Sequence, residues 1–361
     1  MLTRARGVVK SIDMVREGAC EITVEVDGEP RRAMAYPAIT GRVSVGDEIL
    51  LNTTAATKSL GTGGTDFVMA NLTSPTSDEG ADVGHIVKAR YTPVQHTVLS
   101  VEEEDSPHRK CIEGFESLDN MPVVVGQLHS QLAPAAAAIK RLTRNRARVA
   151  YVMTDSASMP IAFSRLAAEL RDKGLIDSTI TAGQAFGGEI EAINVHTALI
   201  AAKQAANADA VIVCPGPGNA GTGTRFGFSS IEQGEVVNAV NLLAGSAIAI
   251  ARISYADPRP RHQGLSHHTL TSLGLVALTK CTLALPMIDQ MRLNVIQEQL
   301  AHSPIFYRHK VRILDGTPGI MELQEKDVRM SSMGRSYEQD SEFFLSAAAA
   351  GALAAEMLSK R

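Results

Sequence analysis

The feature that most restricts the fold is an alternation in the second part of the chain. From about residue 120, near-continuous apolar runs take turns with amphipathic helical stretches. "PVVVGQL" is followed by "APAAAAIKRLTR", "ARVAYVMT" by "PIAFSRLAAELRDKG", and "STITAGQA" by "EIEAINVHTALIAAKQAAN". "DAVIVC" then precedes "SIEQGEVVNAVNLLAG", "SAIAIARIS" precedes "HTLTSLGLVALTK", and "CTLALP" ends the series. Strands without a polar face belong in a parallel sheet covered on both sides by helices. Six such strands with five crossovers predict an α/β domain with a doubly wound, mostly parallel sheet. "HKVRIL" adds a strand, and "SEFFLSAAAAGALAAEML" a final helix whose Ala-rich face packs on the body or, in a homodimer, on a second copy.

The first part has a different period. "EITVEV" sets Ile22, Val24 and Val26 on one face, and "DG" at 27–28 marks a tight turn before "RRAMAY". "VGDEILLN" and "TDFVMANL" read as further strands, so a small β-barrel or sandwich is expected. The polar stretch "LTSPTSDEGADVG" at 72–84 reads as a linker. The expected division is therefore a β-rich N-terminal domain with linker at 1–84, and at 85–361 an α/β domain with a C-terminal strand and helix.

Composition narrows the partners. A formal net charge of −4 gives no general attraction to nucleic acid or membranes, and 4% aromatics leave few stacking platforms. Arg4, Arg6, Lys10, Arg31 and Arg32 are a candidate basic face for RNA on the N-terminal domain, with a solvated strand face the favoured alternative. Cys20, Cys111, Cys214 and Cys281 are scattered without a C-x-x-C pair, which suits a reducing compartment. The longest apolar windows are broken by Asn241, Arg252, Lys280 and Pro286, so no bilayer span is expected and the protein is assigned to the cytoplasm.

Several segments, among them "GQLHSQLAP", "VMTDSASMP", "GGEIEAINVHTAL", "CPGPGNAGTGTRFGFS", "GLSHHT" and "MSSMGR", carry a resemblance. Along most of its length the chain resembles an uncharacterised bacterial family, the domain of unknown function numbered 3866 in its series. The resemblance implies no activity, cofactor or catalytic residue.

Function has to be sought where ligands meet such sheets, beyond the carboxyl ends of the strands. There the sequence places His129 and Ser130, then Asp155 and Ser156, then Glu189, then "CPGPGNAGTGTRFG", and last "YADPRPRHQGLSHHT". Gly216 to Gly221 spells G-x-G-x-x-G, yet the next helix start is Ser229 or Ser230, too late for a dinucleotide fingerprint. Pro215 and Pro217 lack amide hydrogens, and G-K-[ST] is missing, so the P-loop fails as well. The surviving reading is a cradle for a phosphate or carboxylate, built from Asn219, Gly221, Thr222, Gly223 and Thr224, with Arg225 for charge. The alternative is a surface loop that only turns.

The sequence-level expectation is an enzyme acting on a small anionic metabolite, its reaction and cofactors unspecified. His129 is the expected acid/base, Asp155 its orienter or a metal ligand, and Glu189 a second carboxylate. Arg225 and Arg261 would hold the anion with His267 and His268. A divalent metal held by His129, Asp155, Glu189 and one of His262, His267 or His268 is the weaker option, because no H-x-x-x-H spacing supports it. His196 is expected to be a core histidine within a helix, and "MSSMGRSYEQD" a loop with Ser336 and Gln339 as a capping pair. The rival to an enzyme is a non-catalytic protein that binds a metabolite or a partner.

Overall fold

The structure, a computed structural model, describes residues 2–61, 63–74 and 84–360. Most of the expected linker lies outside these residues. The chain divides into two compact units, Met1–Val98 and Leu99–Arg361.

The first unit is built on a closed barrel of β1 (Arg4–Arg16), β2 (Ala19–Val26), β3 (Glu29–Ala35), β4 (Glu48–Asn52) and β5 (Asp66–Asn71). Its strands follow the order β1-β2-β3-β5-β4, with β3 and β5 parallel and the other pairs antiparallel. Alternation is what closes it: Ile22, Val24 and Val26 all point into the barrel and are buried. Asp27 (φ 52°) and Gly28 (φ 84°) make the left-handed turn that matches the strand twist. Most of the suspected basic face is already paired. Arg6 meets Glu48 at 3.6 Å, Lys10 meets Glu25 at 3.0 Å, Arg31 meets Asp66 at 2.7 Å, and Arg32 donates to the Gly63 carbonyl at 2.6 Å. A short antiparallel hairpin, β6 (Ile86–Lys88) with β7 (His96–Val98), also belongs to this unit.

The second unit holds an 8-stranded sheet of β8 (Pro122–Val125), β9 (Val149–Thr154), β10 (Ser178–Ala182), β11 (Ile190–Ala192), β12 (Ala210–Pro215), β13 (Ser246–Ile250), β16 (Thr282–Pro286) and β17 (Lys310–Leu314). Two hairpin strands, β14 (Ile253–Ser254) and β15 (Gly264–Leu265), interrupt the series. Sheet order is β11-β10-β9-β12-β8-β13-β16-β17, with every neighbouring pair parallel. Strands β8, β9 and β12 are buried along their whole length, as their unbroken apolar runs require. One expectation fails locally: "EIEAINVHTALI" is not one helix. Ile190–Ala192 joins the sheet edge, Asn194 caps the chain behind it, and the helix begins only at Val195. His196 is accordingly a half-buried first-turn residue rather than a core histidine.

One face of the sheet carries α1 (Leu132–Leu142), α2 (Arg165–Asp172), α6 (Thr317–Glu325) and α7 (Ser341–Leu358). The other carries α3 (Val195–Gln204), α4 (Glu232–Leu242) and α5 (Gln290–Ala301). Helix α7 is long and apolar enough to cross a membrane, yet 72% of it is buried inside the protein. Its small residues explain the burial: a Cβ on Gly351 would lie 2.2 Å from the Ala135 carbonyl oxygen, so only glycine lets α7 sit this close to α1. The Ala-rich face considered for a dimer contact is spent within the chain.

This topology fixes where a ligand can go. The connection after β8 runs to one face, while those after its neighbours β12 and β13 run to the other. Their carboxyl ends open a crevice between the departing loops.

Candidate functional site

The loop leaving β12 runs from Gly216 to Phe228 and is closed largely by its own bonds. A turn of helix starts at Ser229 and α4 follows, so the late helix start read from the sequence is what forms. The Asn219 side-chain oxygen accepts from Ser229 Oγ (2.7 Å) and the Ser230 amide (3.0 Å). Thr222 donates its amide (2.8 Å) and hydroxyl (2.9 Å) to the Gly227 carbonyl, and its Oγ1 lies 2.9 Å from that of Thr224. Asn219, Thr222 and Thr224 therefore shape the loop instead of presenting a ring of donors. Gly223 adopts φ 80°, with space for a Cβ only 3.4 Å from the Arg261 guanidinium carbon. Phe228 lies flat on the His268 ring, with centroids 3.9 Å apart and planes at 4°. Gly221 approaches the same ring.

The loop leaving β13 is held by buried charges. Arg252, 3% exposed, donates to Nδ1 of His268 at 2.9 Å. Asp257 receives a two-pronged bond from Arg259 (2.8 and 2.6 Å), with Arg335 at 3.5 Å and Arg252 at 4.0 Å. The Arg259 bonds above all hold the Asp257 carboxyl far below the usual carboxylate range. Arg335 also donates to Asp340 at 3.0 Å, which accepts from Ser254 Oγ. "MSSMGR" thus does more than lead into the last helix: Arg335 joins this network and Met333 Sδ lies 3.3 Å from Arg252. The expected Ser336–Gln339 contact is present, from the Ser336 amide to the Gln339 side chain at 2.9 Å.

Three imidazoles gather above that base. Ring centroids of His262, His267 and His268 lie 4.4 to 5.0 Å apart. Ser266 Oγ sits 2.7 Å from Nδ1 of His262 and accepts the His268 amide, so it fixes two of them at once. Burial, followed by repulsion from Arg252, pulls His262 down to about 3 and His268 lower still. His267 is lowered by burial and then by Arg261, Arg252 and Arg259. All three are neutral at pH 7. Nε2 of His267 is buried with no hydrogen-bond partner among the described residues.

One potential ligand nitrogen from each ring falls within 4.8 Å of the others, close enough to raise the question of a metal. The charges argue against one. A guanidinium can only donate, so His268 accepts at Nδ1 and carries its hydrogen on Nε2, where a metal would need a lone pair. The surrounding guanidiniums would also repel a divalent cation, whereas an anion would be welcomed by the same field.

A cleft of about 780 Å³ opens beside this cluster, lined at its charged part by Gly223, Arg225, Arg261 and His267. Arg225 lies over the Phe226 ring at 5.7 Å. Neither Arg225 nor Arg261 has a carboxylate partner among the described residues.

The other sequence candidates fall elsewhere. His129 sits in the turn after β8, with Nδ1 3.2 Å from the Tyr151 hydroxyl and Nε2 2.6 Å from Ser164 Oγ. Ser164 in turn caps α2. Burial pushes His129 down to about 4, and with both nitrogens engaged it has no need of Asp155 as orienter. Asp155 instead accepts the Gln184 amide at 3.0 Å. Glu189 is exposed, paired with Arg171, and accepts the Thr179 amide at 2.8 Å. Burial raises its carboxyl, but the bonds from Arg171 and Thr179 outweigh that and hold it low. The expected trio of His129, Asp155 and Glu189 therefore does not assemble.

Asp155 lines a second cavity of about 340 Å³, with Asn194, His196, Glu232 and Glu235. Glu232 accepts from Thr154 Oγ1 at 2.6 Å, and burial raises its carboxyl. Asp257 is legible in the sequence as a polar residue of the loop after β13, whereas Arg252, Phe228 and Glu232 do not stand out as site residues. Their signals are ambiguous: Arg252 registers as a break in an apolar run, and Glu232 as a helix cap.

A protein family described as "Protein of unknown function (DUF3866)" matches residues 32–351, most of the chain. Among curated proteins, nothing matches it.

Proposed function

We propose that this chain, which belongs to the DUF3866 family, is an enzyme acting on a small phosphate- or carboxylate-bearing metabolite in the cleft beside the histidine cluster. One observation carries the reading: two guanidiniums without carboxylate partners among the described residues, Arg225 and Arg261, line the same cleft as a neutral imidazole, His267. Arg225 and Arg261 hold the anion, as guanidiniums suit its oxygens in number and geometry. His268 presents Nε2–H beside the glycine-rich loop. His267, the one of the three imidazoles that lines the cleft, moves the proton, a role the sequence pattern assigns to His129. Four free cysteines support work in a reducing compartment such as the cytoplasm.

The test is a turnover screen over phosphorylated and carboxylated metabolites, on the full chain and on His267→Ala. The reading expects a product whose formation falls by about 10²-fold or more in the variant while binding persists. Saturable binding without product from any compound would leave a metabolite-binding protein and remove the catalytic role.

A further inference from the structure

The cleft is much larger than an inorganic anion requires, and its lining changes character along its length. His267 and Leu270 stand one turn apart on the short helix His267–Thr271, so they share a face. The chain continues through a wide turn, Ser272–Val276, closed by the Ala277 amide on the Ser272 carbonyl at 2.8 Å. Leu275 from this turn also lines the cleft. From His267, beside the two guanidiniums, to Leu275 the lining thus passes from polar to apolar over roughly 10 Å of helical rise. Pro304 adds to the apolar part, packed against Gly274 at an added-Cβ distance of 3.6 Å.

Two of the polar side chains around that part, Gln299 and Ser303, are already engaged, while Thr271, Glu298 and His302 also line the cleft. Gln299 accepts the Leu265 amide (2.7 Å) and donates to the Gln263 carbonyl (3.0 Å), while Ser303 accepts the Ile305 amide. Among the described residues Glu298 is the one carboxylate lining the cleft, against two guanidiniums, so the charge there remains positive.

We infer that the metabolite is amphipathic: an organic phosphate or carboxylate whose apolar body lies along Leu270, Leu275 and Pro304 while its anionic head meets Arg225 and Arg261. This rests on the anion reading above. A volume of about 780 Å³ is within the span of sites that enclose whole small molecules. Apolar walls reward a hydrocarbon body.

Calorimetric titration of the full chain with inorganic phosphate, butyl phosphate and hexyl phosphate, and with butyrate and hexanoate, decides it. Each added methylene is expected to tighten binding by about two- to fourfold. Leu275→Asp should flatten that dependence while inorganic phosphate still binds, which also shows that the variant is folded. Leu270→Ser, a milder change, should reduce it. The phosphate and carboxylate arms identify the head. If alkyl phosphates bind no more tightly than inorganic phosphate, the amphipathic ligand is wrong and the anion site stands. If none of the five probes binds, the anion site itself is wrong.

Discussion

The Arg252 guanidinium and the His268 imidazole meet at 2.9 Å, both buried, and this contact decides the chemistry of the cluster above them. It fixes which nitrogen of His268 carries hydrogen, and it adds a positive charge to the burial that keeps the three rings neutral. A cluster that would otherwise resemble a metal site is thereby biased toward anions.

Arg252→Met should undo that bias. Loss of a buried charge-assisted bond costs about 2 kcal/mol, seen as a lower urea midpoint. The His268 resonance, followed by NMR, should then titrate closer to 6.5 than in the wild type. An unchanged His268 titration would show that Arg252 does not govern the cluster.

The histidines set the acid limit of stability. His129 is held at about 4 in the folded chain and titrates near 6.5 when unfolded. Between those values the unfolded chain binds more protons, so stability is full above about 6.5 and is lost as pH falls toward 4. His262, His267 and His268 act in the same direction. Urea titrations should show a loss between pH 7 and pH 5, with His129 contributing on the order of 1–2 kcal/mol. His129→Gln should make the pH dependence shallower by that amount.

Anion binding should be coupled to protonation. A bound carboxylate offsets the guanidinium field that lowers His267, so its affinity for protons rises. Hexanoate does not titrate between pH 8 and pH 6, and it should bind more tightly at pH 6. In His267→Ala that pH dependence should shrink.

Gly223→Val should weaken the site without touching a charged side chain. At φ 80° a branched residue is strained by about 1–2 kcal/mol. Its Cβ would also come into contact with the Arg261 guanidinium, 3.4 Å from its carbon. Anion affinity should fall by about tenfold with the loop otherwise folded, as read from an unchanged circular dichroism spectrum.

Much of the fold is legible in the amino-acid pattern itself. Apolar runs at β8, β9 and β12 can only be strands covered on both faces, and the Ser229 helix start rules out a dinucleotide loop. Ile190–Ala192 escapes notice because three residues are too few to show a period, and the alternation around them also fits a helix. The site is legible as a place but not as a set of contacts. His129 does follow a strand, yet its partners, Tyr151 and Ser164, are brought to it only by tertiary packing. Arg252 looks like an interruption because periodicity records burial and says nothing of which charge lies across the loop.

Everything proposed for the cleft depends on Arg225 and Arg261 making an anion site. The most direct test is calorimetric titration with inorganic phosphate of the wild type and of the double variant Arg225→Ala, Arg261→Ala. Saturable binding is expected in the wild type, weakened at least tenfold in the double variant. Equal affinity in both proteins, or no binding to the wild type, would contradict it.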